Sequence, residues 1–166
     1  RAPVRPISLL RLHHLARRLD DFSMAGFGGD LSAHHLADDV ALRTPTLQFA
    51  TMNFDMSIYD IVSAFFTGSP LVMIAEEDRI DLPRLIAILR RERIGRVYLP
   101  TALLQPLAHV LLSERIALPD LRVVQVAGEA LVITPTIREW AAHSGCPVLN
   151  LYGPTEAAVD VTYWRC

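Results

Sequence analysis

The rhythm of hydrophobic and polar positions changes near residue 46. Before it, Leu9, Leu10, Leu12, Leu15, Ala16 and Leu19 recur at helical spacing, with Arg11, Arg17 and Arg18 between them. That pattern predicts an amphipathic helix over 7–20. Residues 21–45 are glycine-rich and polar and read as a long loop, with a short helical piece near 32–37. From Leu47 onward, short apolar runs alternate with longer amphipathic ones. Strands are expected over 47–52, 71–75, 96–99, 121–126 and 148–151, with a further candidate over 159–164. Helices are expected between them. Ser57 is placed as the N-cap of one that ends before Gly68. Asp81 caps the next, which runs through Arg93 with Pro83 in its first turn, where a missing N–H is tolerated. Residues 101–114 read as a helix that Pro106 bends or splits. Thr134-Pro135 opens a last helix and Gly145 closes it.

This repeated strand–helix order predicts a three-layer α/β fold: a mostly parallel sheet with helices on both faces. The strands read as nearly continuous apolar runs, as expected when both faces are covered. The chain divides into an N-terminal helix and glycine-rich loop, 1–46, and an αβ unit, 47–166. Ligands of such sheets sit at the carboxyl ends of the strands. Those ends carry Asn53-Phe54-Asp55-Met56-Ser57, Pro100-Thr101, Ala127-Gly128-Glu129 and Tyr152-Gly153-Pro154-Thr155-Glu156. Such residues suit ligand contacts, and they equally suit turns and helix caps.

Composition narrows the classes. The 166 residues are 51% hydrophobic, with a mean hydropathy of +0.28, which describes one folded domain and excludes disorder. Sixteen basic against 18 acidic residues leave no surplus of cations to displace counterions, so no nucleic-acid partner is expected. Apolar runs such as Leu71-Val72-Met73-Ile74-Ala75 fall far short of the ~20 residues of a membrane span. Two cysteines, Cys146 and Cys166, make no disulfide framework and fit a reducing, cytoplasmic setting. Arg1–Pro6 is basic and proline-broken with no apolar signal core behind it, so the chain reads as a stretch of something longer. The histidines lack metal-ligand partners at useful spacing, and no Gly-x-Ser-x-Gly elbow is present.

Four segments carry a resemblance: Leu-Gln-Phe-Ala-Thr-Met-Asn-Phe-Asp-Met-Ser (47–57), Leu-Pro-Thr (99–101), Ala-Gly-Glu-Ala-Leu (127–131) and Asn-Leu-Tyr-Gly-Pro-Thr-Glu (150–156). In this order and spacing they resemble the amino-acid adenylation domains of non-ribosomal peptide synthetases, within the adenylate-forming superfamily. The likeness runs from about Asp38 to Trp164. It implies a flavodoxin-like, distorted Rossmann subdomain and ATP-dependent formation of an aminoacyl-AMP, with ATP or AMP and Mg2+ as ligands. Its implied partners are an amino-acid substrate, the remainder of the adenylation domain and a carrier (thiolation) domain.

Family roles carry over position by position. Asp55 resembles the residue that pairs with the substrate α-ammonium, as a buried cation requires. Met56, Tyr59, Tyr98, Gln125, Ala127, Leu151, Val159 and Asp160 fall where the family lines its side-chain pocket. Gly128 and Glu129 fall beside the adenine. Asn150 matches the residue that hydrogen-bonds the adenine edge, Tyr152 the ring that stacks on it, and Gly153 belongs to the same nucleotide motif. Thr155 matches an α-phosphate contact. Glu156 matches the carboxylate that holds magnesium, a hard cation that prefers oxygen; these two are the catalytic expectations. Tyr98, Gln125 and Asp160 favour a polar substrate side chain, while Met56, Leu151 and Val159 pull the other way.

The departures are equally informative. The family's phosphate loop ending in Pro-Lys-Gly is missing, and every basic residue is arginine. The chain therefore resembles the central, substrate-selecting subdomain, which by itself is expected to be inactive. Two readings stay open: that part of an enzyme, or a non-catalytic flavodoxin-like binding or interaction module derived from the family.

Overall fold

A computed structural model describes residues 43–153 and 162–166. The helix expected over 7–20, the glycine-rich loop and the site candidates Thr155, Glu156, Val159 and Asp160 lie outside the described residues. The strands are β1 (Thr46–Gln48), β2 (Leu71–Met73), β3 (Arg96–Pro100), β4 (Val123–Ala127), β5 (Val148–Tyr152) and β6 (Thr162–Arg165). The helices are α1 (Asp55–Thr67), α2 (Glu76–Arg79), α3 (Leu82–Arg91), α4 (Thr101–Ser113) and α5 (Pro135–Ser144). One sheet of order β2-β1-β3-β4-β5-β6 results. Every neighbouring pair is parallel except β5–β6, which is antiparallel. The expected mostly parallel α/β architecture is what forms.

The alternation of side chains along each strand gives this sheet two different faces. Leu47, Val97, Leu99, Val124, Val126 and Val148 point to one face. There they pack with Leu85 and Leu89 of α3, Leu104, Leu107 and Leu111 of α4, and Ile137 and Trp140 of α5. Each such fully buried aliphatic side chain contributes about 1.5–3 kcal/mol. The opposite face carries Thr46, Gln48, Arg96, Tyr98 and Gln125, all buried. Met56 and Tyr59 of α1 pack with Tyr98 on that side. The strands are therefore not the continuous apolar runs the sequence suggested. Helices of unequal character cover them, and α1 faces buried polar groups.

Local chemistry explains most boundaries. Asp81 Oδ1 accepts the Arg84 N–H at 3.1 Å, as expected of the α3 cap. Thr134 Oγ1 accepts the Ile137 N–H at 3.2 Å at the start of α5. Gly145, at φ 67°, ends α5 in the left-handed conformation that glycine favours. The α1 cap differs from expectation. The helix begins at Asp55 behind Phe54, whereas Ser57 lies inside the first turn, fully buried. β1 is shorter than 47–52: the Phe49 N–H turns back to the Leu47 carbonyl at 3.1 Å instead of continuing the ladder. Pro106 does not split α4, which runs unbroken from Thr101 to Ser113. Its ring removes one backbone donor close to the helix start, where only the Ala102 carbonyl loses a partner.

The close approach of Gly95 to the segment before β1 fixes where β3 begins. Its N–H donates to the Pro45 carbonyl at 2.8 Å, and its own carbonyl accepts from Arg122 and Val123 at 2.7 and 3.1 Å. A Cβ at residue 95 would lie 2.2 Å from Thr44 Cβ. Gly95→Ala is expected to destabilise the chain by about 1–3 kcal/mol through overpacking, read as a lower urea midpoint at unchanged slope.

The two cysteines differ in environment. Burial pushes the Cys146 thiol up to about 12, against smaller lowering effects from the Val124 backbone and Arg122. Cys166 is exposed. Desolvation raises the Cys166 thiol as well, so at pH 8 it is expected to react with a disulfide reagent ahead of Cys146 but more slowly than a free thiol, and Cys146 only in denaturant. An unfolded cysteine ionises near ~8.5, so above that pH the unfolded state binds fewer protons than the native one. Cys146 therefore makes stability fall as pH rises from there towards 12, which a urea titration of a Cys146→Ser variant against the parent isolates.

Candidate functional site

The strand order sets β1, β3, β4 and β5 side by side, so their carboxyl ends converge along one rim. The loop after β1 is held in place from α2. Arg79 Nε donates to the Phe49 carbonyl at 2.7 Å, and Arg79 Nη1 pairs with Glu76 at the same distance. The chain then reaches Asp55, half-buried at the first turn of α1. Asp55 Oδ1 accepts the Met56 N–H at 2.8 Å, and its carboxylate sits at the positive end of the helix dipole.

One turn further in, those expected pocket residues that lie among the described ones come together. Met56, Tyr59, Tyr98 and Leu151 form a buried cluster of their own, with Ala50, Ala127 and Leu149 packed against it. Register accounts for this meeting. Tyr98 pairs with Gln125, and Gln125 with Leu149, so these side chains share a face. The Gln125 side-chain amide donates to Tyr59 Oη at 3.3 Å. Gln125 is 1% exposed, and its Oε1 has no hydrogen-bond partner among the described residues. A buried acceptor left unpaired costs about 1–3 kcal/mol, a cost that a donor placed against this oxygen would remove.

The ends of β3 and β4 are tied to each other. Thr101 Oγ1 donates to the carbonyls of Ala127 and Glu129, at 3.1 and 3.3 Å. Gly128, at φ 95°, is exposed, and a Cβ there would project into open space. Glu129 is exposed beside it. On the neighbouring strand, Tyr152 is the last residue of β5, with 72% of its surface exposed, and Gly153 follows half-buried. An aromatic face next to a strand end without side-chain bulk suits a planar, stacking ligand.

Asn150 is set apart from the pocket cluster. Its register partners are Val126 and Trp164, so it points to the face opposite Leu149 and Leu151. There it lines a cavity of about 650 Å³ with Ile133, Ile137, Arg138 and Trp164 among others. Glu156, the expected magnesium ligand, lies outside the described residues, among which no cluster of His, Cys, Asp and Glu is arranged to hold a metal.

Sequence reasoning missed Arg96, Thr46 and Ser63, buried polar residues beneath the pocket. Arg96 was read only as the first residue of a strand. Its signal was parity: it stands two positions before Tyr98, on the same side of β3. Arg79 was missed because the short α2 was not anticipated.

Comparison with known proteins places the chain in a family. Residues 24–166 match the family model described as AMP-binding enzyme. The chain is 32% identical over 127 residues to bacitracin synthase 1 of Bacillus licheniformis, covering 76% of the chain and 2% of that protein. It is 34% identical over 116 residues to a probable non-canonical nonribosomal peptide synthetase, CymA, of Salinispora arenicola (strain CNS-205), covering 70% and 1%. Its fold is similar to that of the Vibrio cholerae adenylation domain AlmE, solved with glycyl-adenosine-5'-phosphate. The TM-score is 0.61 at 23% identity, over 75% of this chain and 23% of that one. The chain thus spans a small part of the length of the relatives it matches, and by the match over 24–166 it belongs to the AMP-binding enzyme family.

Proposed function

We propose that the chain is the substrate-selecting part, with a boundary near residue 46, of an amino-acid adenylation domain in a cytoplasmic non-ribosomal peptide synthetase. The parent reaction joins an amino-acid carboxylate to the α-phosphate of ATP, releases pyrophosphate and passes the aminoacyl group to a carrier thiol. The observation that carries this reading is the buried cluster of Met56, Tyr59, Tyr98 and Leu151, with Gln125, directly behind Asp55. Similarity to peptide synthetases supports it.

In this reading Asp55 pairs with the substrate ammonium, and the residues behind it surround the side chain. Val159 and Asp160 complete that pocket. Tyr152 stacks on the adenine, which Gly128, Glu129 and Gly153 border and Asn150 hydrogen-bonds. Thr155 meets the α-phosphate. Glu156 is the residue to hold Mg2+, which supplies positive charge for the phosphates when bound. The available Gln125 Oε1 favours a small polar substrate whose side chain donates a hydrogen bond. A Leu or Phe side chain would leave that acceptor unmatched, at a cost of about 1–3 kcal/mol.

Asp55→Ala in the complete adenylation domain leaves a buried ammonium without its anion, and such breaks cost about 3–5 kcal/mol. Amino-acid-dependent pyrophosphate exchange is expected to fall accordingly, and near-normal affinity for the amino acid would overturn the assignment. A panel of amino acids is expected to rank a hydrogen-bond-donating side chain first; Leu or Phe at the head of the ranking would refute the polar preference. The 166-residue chain alone contains no lysine. Removing one preorganised charge-stabilising donor costs about 2.7–4 kcal/mol, so the isolated chain is expected to give no amino-acid-dependent exchange. Exchange that vanishes in Glu156→Ala would show that the chain suffices.

A further inference from the structure

Arg96 lies beneath the pocket cluster, with 1% of its surface exposed. Its Nε donates to Thr46 Oγ1 on β1 at 3.2 Å. Its Nη2 donates to Ser63 Oγ on α1, and that hydroxyl donates in turn to the Asp60 carbonyl at 3.2 Å. The guanidinium carbon lies 5.8 Å from the centre of the Tyr59 ring, within the range of a cation–π contact. The same Tyr59 presents its hydroxyl to the Gln125 amide on the far side. One cation thus joins β1, β3 and α1, and through Tyr59 it reaches β4.

Packing alone does not call for an arginine here. Burying a guanidinium costs several kcal/mol of lost hydration, and an apolar side chain of similar volume often stabilises as well or better. What an aliphatic chain cannot do is hold a ring from below while its ends are fixed on two other elements. A planar guanidinium does this, because its donors diverge in one plane while its face meets the aromatic ring.

We infer that Arg96 is a positioning residue for amino-acid selection: it fixes the Tyr59 ring, and through the Tyr59 hydroxyl it orients the Gln125 amide that faces the substrate. The inference rests on the pocket assignment above and adds to it a residue that the substrate never touches. Loosening Arg96 frees the Tyr59 ring and lets Gln125 turn, so recognition of the amino acid weakens while the nucleotide end, whose proposed residues among those described make no side-chain hydrogen bond to this network, is unaffected.

The test uses the complete adenylation domain with Arg96→Met, Arg96→Lys and Ser63→Ala, and reads KM for the preferred amino acid and for ATP. A desolvated cation–π contact is worth about 2 kcal/mol, so Arg96→Met is expected to raise the amino-acid KM by roughly thirtyfold. Arg96→Lys recovers part of that loss, and Ser63→Ala gives a smaller rise. The ATP KM stays within about twofold in all three, the mark of a selective loss of amino-acid binding. An unchanged amino-acid KM, or amino-acid and ATP KM rising together, overturns the inference. Should Arg96→Met fail to fold, Ser63→Ala, which removes one oxygen, decides by the same criterion. Asp55→Ala in parallel separates the two levels. If it raises the amino-acid KM while the Arg96 and Ser63 variants do not, only the role of Arg96 is lost. If it too has no effect, the pocket assignment itself falls, and the inference with it.

Discussion

A guanidinium sealed under a helix sets the terms for this structure. Arg96 cannot be left unmatched in a site shielded from water, because isolated buried charge is costly. Thr46 and Ser63 accept from its Nε and Nη2 and the Tyr59 ring meets its face, while Nη1 has no hydrogen-bond partner among the described residues; the partners it does have come from β1 and α1. Their positions are therefore tied to β3, and a shift of α1 along the sheet would break several contacts at once. An apolar interface tolerates small slips, whereas directional hydrogen bonds do not. The polar face of the sheet thus locates α1, and with it Asp55, more sharply than greasy packing would.

The other face does the bulk of the stabilising. α3, α4 and α5 cover it with leucine, isoleucine and valine, plus Trp140. The apolar layer supplies cohesion, and the layer under α1 holds buried polar side chains such as Gln125. The loop between β1 and α1 is tethered through Arg79, and Thr101 binds the ends of β3 and β4 together. Among the described residues, the loop after β1 and the ends of β3 and β4 are therefore tied to their neighbours by the protein's own hydrogen bonds.

The α/β order was legible because its signals are local. Asp81, Thr134 and Gly145 are capping residues whose side chains or φ preferences act within one helical turn, and all three stand where the pattern put them. The same holds for the motif segments: Asp55, the Ala127–Glu129 turn and Tyr152 each occupy a strand end or a helix start. Boundaries that depend on neighbours were less legible. Ser57 has the chemistry of a cap, but the depth at which α1 packs buries it inside the first turn. Pro106 has the chemistry of a breaker, but the helix continues past it with Leu104, Leu107, Ala108 and Leu111 buried in the core.

By itself, the sequence determined the alternation of strands and helices, the family motifs and the kinds of residue available at the strand ends, because periodicity and turn chemistry are short-range properties. Only the tertiary structure decided which of those residues meet. Strand order and register brought Tyr98, Gln125 and Leu151 against Met56 and Tyr59, and turned Asn150 to the opposite face. It also decided that Arg96, an ordinary strand-opening residue on paper, lies beneath an aromatic ring. A charge's environment depends on what the rest of the chain lays over it, and no local window of sequence contains that.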